Sequence, residues 1–595
     1  MIGILRWCVY LSVGSRPLLA ASVLLMAAGP LLGWYQFQWT QRFFDGIAHV
    51  SREDWKLAVW LAFGLFAIKL AESSLSRIGG YVQETLALRV NRRIEAYQFE
   101  LVQPSEITRI ETPAYQNDLH LLKNSLTKIG QIMQTCLTVA KELGTVLVYA
   151  YLVGRYSWAA LVLVFGFAFP NLLYVWKHAR RLDDFFAGIS QAQMEAGKLA
   201  GLLTLPMAQK EMLIFGAKPF FLSRWHSVAD RSIREHRRLI RSEYGWGWLV
   251  DSFVPVKFIA TQLIFIYMLF QGRMQLGEYM ALTGAMVPLE NSLRSLIVSL
   301  DGLKHFQLFR SKWAHFRKTY MPDPSSRTHK AISELRSIEL EGLTFSYPDG
   351  DRPALRDVSF RLEGISSLAI VGENGSGKST LAKAMSGLHR VEEGRMRVNG
   401  IPVEDVDRSS LYGRVSIVSQ DFVRYPLSVY ENVALRERPG PEEDGRFREL
   451  VGRYPELIPE EVRARPDVRL GIDYLGSVQL SGGQWQRIAI ARGLYKDCDV
   501  LVLDEATSEL DPAAERDIVR KILEDRADRT TLLVTHNMQL ACMADCVVVM
   551  ERGTIAESGP PSSLLNRASR FKDMLVKQNA ISREEQVADE LQSVI

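Results

Sequence analysis

The sequence has 595 residues, of which 47% are hydrophobic, a formal net charge of +4 and five cysteines. So small a charge on so long a chain argues against a protein that coats nucleic acid. The cysteines are few, odd in number and without metal-ligand spacing, so neither a disulfide framework nor a zinc site is indicated and a reducing compartment fits best. At about 150 residues per domain, there is room for several domains.

Long apolar runs dominate the first half of the chain, and six of them are long enough to cross a bilayer as helices, which takes about 20 residues. The predicted spans are 17–40, 57–78, 131–153, 158–177, 246–271 and 277–300. Buried helices of a soluble domain are the alternative, but no soluble fold needs six such runs in succession. Ahead of the first span, Ile4, Trp7, Tyr10 and Leu11 predict an amphipathic helix at the membrane surface rather than a cleaved signal.

Basic residues in the loops predict the orientation of these spans. They cluster after the second span, after the fourth and before the fifth, as Arg89, Arg92, Arg93, Lys177, Arg180, Arg181, Arg237, Arg238 and Arg241. The links after the third and fifth spans are short and carry one arginine each. Because positively charged loops stay in the cytoplasm, both termini are expected there. The polar, helical stretches 79–130 and 178–245 predict helices that continue beyond the bilayer.

The chain is therefore expected to begin with an all-α membrane domain of six helices, residues 1–320, with long cytoplasmic extensions. Residues 321–336 have the proline, serine and charge content of a linker. A soluble α/β domain is predicted at 337–580, and a polar C-terminal tail at 581–595.

A phosphate-binding loop opens the soluble domain. The segment "VGENGSGKST" follows an apolar strand pattern at 366–371 and precedes a helical one, which is the context that a P-loop requires. Its glycines allow backbone N–H groups to close around phosphate oxygens, Lys378 reaches the β and γ phosphates, and Ser379 can bind Mg²⁺. The predicted nucleotide-binding residues of the loop are Gly372, Asn374, Gly375, Ser376, Gly377, Lys378, Ser379 and Thr380.

A second predicted strand, "DVLVLDE", ends on two carboxylates at the strand end where α/β sheets bind ligands. Asp504 is expected to hold the Mg²⁺ shell and Glu505 to polarise the attacking water. Three single residues add weaker signals: Gln420 for Mg²⁺ or the water, His536 for the γ-phosphate, and Tyr347 for stacking on adenine. For a lone glutamine or histidine, an ordinary surface or core position is the alternative.

The segment "LSGGQWQR" contains only some of the residues that a second phosphate-binding site would need. Ser481, Gly482, Gly483 and Gln484 stand at the predicted start of a helix, where free N–H groups attract anions, but no lysine accompanies them.

In this order, the motifs resemble those of the ATP-binding cassette (ABC) family, over essentially the whole chain. The corresponding parts are the adenine-stacking Tyr347, the Walker A loop 372–380, the Q-loop Gln420, the signature 481–484, the Walker B strand 500–505, the D-loop 508–511 and the switch histidine His536. Six spans before one cassette resemble the exporter arrangement, so the expected cofactors are ATP and Mg²⁺. Two residues depart from the common pattern: Glu509 replaces alanine, and Trp485 replaces a basic residue.

The resemblance implies a second copy of the chain. In this family the signature covers the γ-phosphate of ATP held by the Walker A loop of another cassette, so two cassettes meet head to tail with two ATP molecules between them. A homodimer is favoured because no motif is degenerate, and a heterodimer stays open. Two stretches, 111–119 and 208–221, resemble the short cytoplasmic helices that dock onto cassettes; an ordinary amphipathic surface is the alternative.

The function expected from this resemblance is ATP-driven export of an amphipathic substrate across the cytoplasmic membrane by alternating access. A peptide or peptide-derived natural product is favoured because cassette segments such as "SQDFVRYPLSVYENV" are similar to those of lanthipeptide exporters. Lipid or multidrug export is the main alternative; a nucleotide-sensing channel regulator, an importer and a DNA-repair ATPase are others. The expected partners are a second copy, the substrate and the lipid bilayer, with no nucleic acid.

Charges inside the predicted spans are candidates for a cargo site, since a charge at the bilayer centre costs about 2.5 to 3.5 kcal/mol on insertion scales. They are Lys69 and Glu72, Lys141 and Glu142, Lys257, and Glu290 with Arg294. Structural pairs, such as Lys69 with Glu72, are the alternative. Lys257 and Glu290 are the preferred cargo-lining candidates, because Lys257 has no opposite charge near it on its own helix and Glu290 has only Arg294.

Overall fold

The computed structural model describes residues 14–48, 55–101, 110, 112–126, 129–321, 329–437 and 441–579, except positions 349, 351, 393 and 473. The predicted N-terminal amphipathic helix, residues 322–328 of the predicted linker and the tail 581–595 lie outside this part of the chain. Two compact units are present, one formed by residues 1–103 and 116–321, the other by residues 104–115 and 322–595.

Within its described residues, the regular elements of the first unit are all helices. Its helices are α1 Arg16–Ala48, α2 Trp55–Leu101, α3 Pro113–Leu126, α4 Ile129–Tyr156, α5 Trp158–Thr204, α6 Pro206–Ile214, α7 Lys218–Phe270 and α8 Leu276–Tyr320. The six longest coincide with the six predicted spans, although α7 ends one residue before the fifth span does. α2, α5 and α7 run well past the apolar stretches, as the sequence predicts, and α8 also extends beyond its predicted span. α8 packs along α4 and α1, α1 along α2, and α5 along α7. Val153, Phe265 and Leu282 are completely buried in the core of this bundle.

Within the described residues, four helices are long and apolar enough to cross a membrane: Arg16–Ala48, Trp55–Ala96, Met133–Tyr156 and Gly247–Phe270. α5 falls short because its described apolar part, Trp158–Pro170, is brief. α8 carries Glu278, Glu290 and Arg294 inside the predicted span 277–300. These charges lower its hydropathy and have to be accommodated within the bundle.

The second unit contains two sheets. Their strands are β1 Ser337–Phe345, β2 Leu355–Glu363, β3 Ser367–Gly372, β4 Met396–Val398, β5 Ile401–Pro402, β6 Val415–Val418, β7 Val500–Asp504, β8 Thr530–Val534, β9 Cys546–Glu551 and β10 Thr554–Gly559. The smaller sheet is antiparallel, in the order β2-β1-β4-β5. The larger has the order β10-β9-β3-β8-β7-β6, in which only β10 runs antiparallel to its neighbour.

Helices of the second unit cover the larger sheet or form a separate lobe. They are α9 Lys378–Met385, α10 Arg408–Arg414, α11 Val429–Ala434, α12 Pro441–Arg453, α13 Glu460–Arg463, α14 Gly482–Tyr495, α15 Pro512–Asp525, α16 Met538–Ala541 and α17 Pro561–Leu565. Residues of α11, α12 and α14 share one apolar core with β7. This shared core fixes α14, which starts at the signature, relative to the central strands.

Parallel strand order positions the site. β8 lies between β3 and β7, and all three run in the same direction, so their carboxyl ends lie at one edge of the sheet. The P-loop follows β3, Asp504 ends β7 next to Val534, and His536 comes two residues after β8. The predicted strands before the P-loop, before Glu505 and before His536 are all confirmed.

Candidate functional site

The loop between β3 and α9 is shaped by glycines that no other residue could replace without strain. Gly372 and Gly377 have φ angles of 152° and 101°, in the region that disfavours side chains. A Cβ on Gly372 would lie 2.4 Å from the Met550 carbonyl oxygen, and one on Gly377 would lie 2.9 Å from that of Ala354. Gly375, by contrast, faces open space. The glycines therefore allow a tight turn whose backbone is free to surround an anion.

The loop contains polar groups that fit phosphate oxygens. Lys378 is 5% exposed, and its Nζ donates to the carbonyl oxygens of Gly372 (3.0 Å) and Glu373 (3.1 Å). The Ser376 hydroxyl is buried and has no hydrogen-bond partner among the described residues. A buried polar group without a partner is costly unless a ligand satisfies it. An ammonium group folded over the loop and an unpaired hydroxyl inside it are suited to hold phosphates.

The predicted metal ligands Ser379 and Asp504 are brought together. The Ser379 hydroxyl donates to Asp504 Oδ1 at 2.8 Å. Burial raises the pKa of the Asp504 carboxyl above its ordinary value, and the hydrogen bond from Ser379 opposes that effect. A hydroxyl and a carboxylate in contact suit Mg²⁺, which completes its shell with phosphate oxygens and water. Gln420, the third predicted ligand, is exposed just past β6.

Glu505 and His536 face one another beyond the ends of β7 and β8. Glu505 has a φ of 48°, unusual for a residue with a side chain, and its N–H donates to the Val534 carbonyl oxygen at 3.0 Å. Its Oε1 lies 4.0 Å from His536 Nδ1. Its side chain is 16% exposed and that of His536 61%, so both can be reached from solvent. The structure thus places two of the predicted catalytic residues side by side.

Tyr347 belongs to an aromatic cluster next to α9. Its hydroxyl lies 3.3 Å from Thr380 Oγ1 and 3.3 Å from His389 Nε2. The His389 ring stacks on Phe345 with centroids 4.7 Å apart, and Tyr347 meets both rings edge to face. Sequence reasoning missed His389, because a single histidine after a helix carries no distinctive pattern.

The signature residues start α14 as predicted. Ser481 caps the helix: its hydroxyl accepts from the Gln484 N–H, and the Gln484 side chain accepts from the Ser481 N–H. The D-loop packs directly on the two glycines, since a Cβ on Gly483 would lie 2.8 Å from the Glu509 carbonyl oxygen. Trp485, one departure from the family pattern, is 4% exposed in the core beneath. Its size therefore serves packing, while the polar face of the helix start stays accessible.

Residues 355–508 match the family model described as ABC transporter. The chain is 23% identical over 539 residues to the subtilin transport ATP-binding protein SpaT of Bacillus subtilis, covering 89% of this chain and 86% of that protein. It is 27% identical over 550 residues to an ATP-dependent lipid A-core flippase of Methylobacillus flagellatus, covering 89% of each. A solved structure of a bacterial Atm1-family ABC exporter with ATP bound matches with a TM-score of 0.82 at 18% identity, covering 95% of this chain and 98% of that one.

The chain has the fold and domain order of an ABC exporter half-transporter, with one ABC transporter domain. The expected fold class is confirmed, with a helical transmembrane domain fused to one α/β cassette. The half-transporter is an integral membrane protein, and its cassette is an ATPase coupled to transport. Exporters of this half-transporter type work as dimers.

The helical unit of the half-transporter corrects one prediction about intramembrane charge. Lys257 and Glu290 were preferred as cargo-lining residues because neither has an opposite charge nearby on its own helix apart from Arg294. However, Lys257 Nζ lies 2.8 Å from Glu290 Oε1, which links α7 to α8. Their side chains are 8% and 22% exposed and line a small cavity of about 160 Å³. The sequence could not reveal this pairing, because the two residues lie on different helices. Each neutralises the other, so they are poor candidates for receiving charged cargo.

A larger polar cavity lies elsewhere in the same unit. It measures about 750 Å³ between α1, α2, α4 and α8 and is lined by Lys69, Glu72, Lys141 and Glu142 among others. We call it the membrane cavity. Its lining residues fall within or just beyond the predicted spans.

Proposed function

We propose that this half-transporter forms a homodimer that exports an amphipathic substrate, a peptide or peptide-derived product, across the cytoplasmic membrane at the expense of ATP. The proposal is supported by the contact of Ser379 with Asp504, by the proximity of Glu505 and His536, and by a polar cavity lined by the membrane helices. Both termini and the cassette lie in the cytoplasm in this proposal, as the basic loops predict.

In the proposed ATP site, the P-loop residues 372–380 hold the phosphates and Tyr347 stacks on adenine. Lys378 exchanges its two carbonyl contacts for β and γ phosphate oxygens, and Ser376 gains the partner that it lacks. Ser379, Asp504 and Gln420 hold Mg²⁺, which supplies charge neutralisation at the phosphates. Glu505 orients and polarises the attacking water, while His536 contacts the γ-phosphate.

The signature residues Ser481, Gly482, Gly483 and Gln484 act on the ATP of the second copy in this proposal. The start of α14 offers N–H groups and about half a positive charge, which are useful against an anion. Ser481 and Gln484 already satisfy one another, so the N–H groups of the two glycines are the ones left for a phosphate.

We assign the transmission of conformational change from the cassettes to the membrane helices to two cytoplasmic stretches, 111–119 and 208–221. Residue 111 lies outside the described residues. α6 and the turn after it carry large apolar side chains that are mostly exposed, Leu213 at 84%, Ile214 at 77% and Phe215 at 78%. Apolar patches of this kind usually mark interaction surfaces. ATP-driven closure of the cassettes then switches the membrane helices from inward-facing to outward-facing.

A peptide is preferred over a lipid as cargo because the membrane cavity is lined by both polar and charged groups. The similarity to the subtilin transport protein supports peptide export. Lipid transport is the second candidate because the chain is also similar to a lipid A-core flippase. An acyl chain would gain little from a cavity containing two lysines and two glutamates.

The test is uptake into inside-out vesicles containing the purified protein. We expect ATP-dependent accumulation of an amphipathic peptide, with Glu505→Gln protein as the inactive control. Accumulation only of lipid or of hydrophobic drugs would replace the peptide assignment, and ATP hydrolysis without accumulation of any class would overturn export.

A further inference from the structure

The membrane cavity is charged but neutral overall. Lys69 Nζ lies 2.8 Å from Glu72 Oε2 on α2, and Lys141 Nζ lies 3.7 Å from Glu142 Oε1 on α4. The cavity lining thus holds two positive and two negative side chains. A ligand of one sign gains from one member of each pair and is repelled by the other. A ligand with both signs close together matches them.

Exposure separates the Lys69–Glu72 pair from a purely structural pair in the same helical unit. Lys69 and Glu72 are 59% and 51% exposed, whereas the members of the Lys257–Glu290 pair are 8% and 22% exposed. Both pairs lie within the predicted spans, but only the first stays open to the cavity. Its side chains can therefore exchange one another for ligand groups without unpacking a helix contact.

Glycines in the lining enlarge the membrane cavity at positions where helix packing does not require a glycine. A Cβ added at Gly29, Gly79, Gly80 or Gly284, all of which line the cavity, would meet no atom of another residue within 4 Å. Glycines in membrane helices commonly allow two helices to approach closely, as Gly33 of the same lining does toward Tyr149, but no neighbouring helix among the described residues comes that close to these four positions. Replacing them by larger residues fills the cavity rather than creating a clash.

We propose that the membrane cavity binds a zwitterionic group of the cargo, an ammonium and an acidic group within a few bonds of each other. Lys69 and Lys141 receive the carboxylate or phosphate, and Glu72 and Glu142 receive the ammonium. This inference rests on the proposed export function and names the chemistry that it selects. A C-terminal lysine of a peptide and a phosphoethanolamine headgroup both carry such a group.

Equilibrium binding to the purified full-length protein tests the charge pattern. The probe is an apolar hexapeptide ending in lysine, whose ammonium and carboxylate share one residue; its match has the lysine acetylated and the end amidated. We expect the wild type to bind the zwitterionic probe at least about tenfold more tightly than the blocked one. The double change Lys69→Gln with Glu72→Gln should reduce that preference by most of this factor.

The lipid source is tested by competition. Displacement of the peptide probe by phosphatidylethanolamine vesicles, but not by phosphatidylglycerol vesicles, would support the proposed site. The zwitterionic group of the cargo would then be a lipid headgroup. Absence of displacement together with a retained peptide preference supports a peptide source. Equal binding of both peptides by the wild type, with no preference between the lipids, overturns the proposal.

Cavity volume is tested with a matched glycine pair. Gly284→Leu adds a side chain to the cavity, whereas Gly166→Leu adds the same side chain at another open position, on α5 and outside it. The first should weaken probe binding by about tenfold and the second should not. Unchanged binding in Gly284→Leu, or a loss of dimer in that variant alone, which would make this face the contact with the second copy, overturns the proposal. Failure of export itself is distinguishable, since it abolishes vesicle uptake whatever the probe's charge.

A separate observation concerns His389, which is 2% exposed beside Tyr347. One face stacks on Phe345, and Nε2 lies 3.3 Å from the Tyr347 hydroxyl. Nδ1 is buried and has no hydrogen-bond partner in the described part of the chain. A buried nitrogen without a hydrogen-bond partner lowers the stability of the fold. The contact made by the other nitrogen, Nε2, is therefore the one to which we assign a function. That nitrogen contacts the residue proposed to stack on adenine.

We infer that His389 is a positioning residue that holds the Tyr347 ring at the angle required for stacking. His389→Leu should raise the KM for ATP by about tenfold with kcat nearly unchanged, because a lost orientation weakens binding rather than chemistry. His389→Gln, which can still bond the hydroxyl, should recover much of the affinity. Tyr347→Phe, which keeps the ring but loses the bond, should resemble His389→Leu and add little to it in the double variant.

The outcomes separate the two assignments. If Tyr347→Ala leaves the KM for ATP unchanged, the stacking role of Tyr347 fails and the positioning role fails with it. If Tyr347→Ala raises the KM but His389→Leu does not, or if His389→Leu lowers kcat instead, the positioning role alone is wrong.

Discussion

At the scale of single residues, the ATP site combines strain with burial. Glu505 adopts a φ of 48°, and such conformations cost about 1 to 3 kcal/mol unless surrounding structure enforces them. Its N–H bond to Val534 continues the pairing of β7 with β8 and supplies that enforcement. The strained backbone directs the carboxylate away from the strand and toward His536 rather than into the sheet.

Changing Glu505 to glutamine should separate binding from hydrolysis. The amide keeps the shape of the side chain but loses the charge that polarises water, so we expect ATPase to fall by at least about a hundredfold. ATP binding should persist, and the variant should accumulate in an ATP-bound, closed form. Measurements are steady-state phosphate release and nucleotide retention on a sizing column. Glu524→Gln, on an exposed face of α15, is the matched control; near-normal turnover of Glu505→Gln would remove Glu505 from its assigned role.

The buried imidazole of His389 predicts a pH effect on stability. Burial, with a smaller effect of Lys383, lowers its pKa to about 4 from an ordinary value of 6.5. Between these two pH values the unfolded chain binds the proton more readily than the folded chain does. The contribution of the neutral His389 side chain to the free energy of unfolding is therefore complete above pH 6.5 and is lost as the pH falls toward 4. The melting temperature of the wild type should drop more between pH 7 and pH 5 than that of His389→Phe. Equal drops would contradict a buried neutral imidazole.

At the scale of elements, apolar length and strand-loop-helix patterns made most of the fold predictable. The six long helices, β3 with its P-loop, and β7 ending at Asp504 follow from local sequence. Contacts between distant elements were not predictable: Lys257 meets Glu290 across two helices, and Trp485 is buried by packing of α14. The Ser379–Asp504 contact was expected only because motif order implied it.

The two signature glycines should differ in tolerance because the D-loop packs on them differently. A Cβ on Gly483 would meet the Glu509 backbone oxygen at 2.8 Å, whereas one on Gly482 would meet the end of the flexible Glu509 side chain. Gly483→Ala is therefore expected to displace the D-loop and reduce ATPase by about tenfold or more, and Gly482→Ala by a much smaller factor. Turnover and melting temperature of the two variants are compared side by side. A greater loss of ATPase in Gly482→Ala than in Gly483→Ala would mean that the glycines are not required for the close approach of the D-loop backbone.

At the scale of the whole molecule, one chain carries every motif of the ATP site but uses its signature elsewhere in the proposed dimer. The P-loop lysine and the start of α14 stand at different positions of the same cassette, so a head-to-tail pair forms two sites, each with one part from either copy. A chain acting alone would instead need both parts to serve the same nucleotide.

Mixing two inactive variants distinguishes these arrangements. Lys378→Ala should lose ATP binding, and Ser481→Arg should keep binding but block closure, since the arginine adds bulk where the cassettes meet. In a dimer containing one of each, composite sites place both defects in the same site and leave the other intact. Random mixing of equal amounts makes about half of the dimers mixed, so about a quarter of wild-type ATPase should return if the sites act independently. Separate sites within each chain would leave every site defective, and the mixture would be as inactive as either variant alone. Loss of ATP binding in Ser481→Arg by itself would place the signature in its own chain's site.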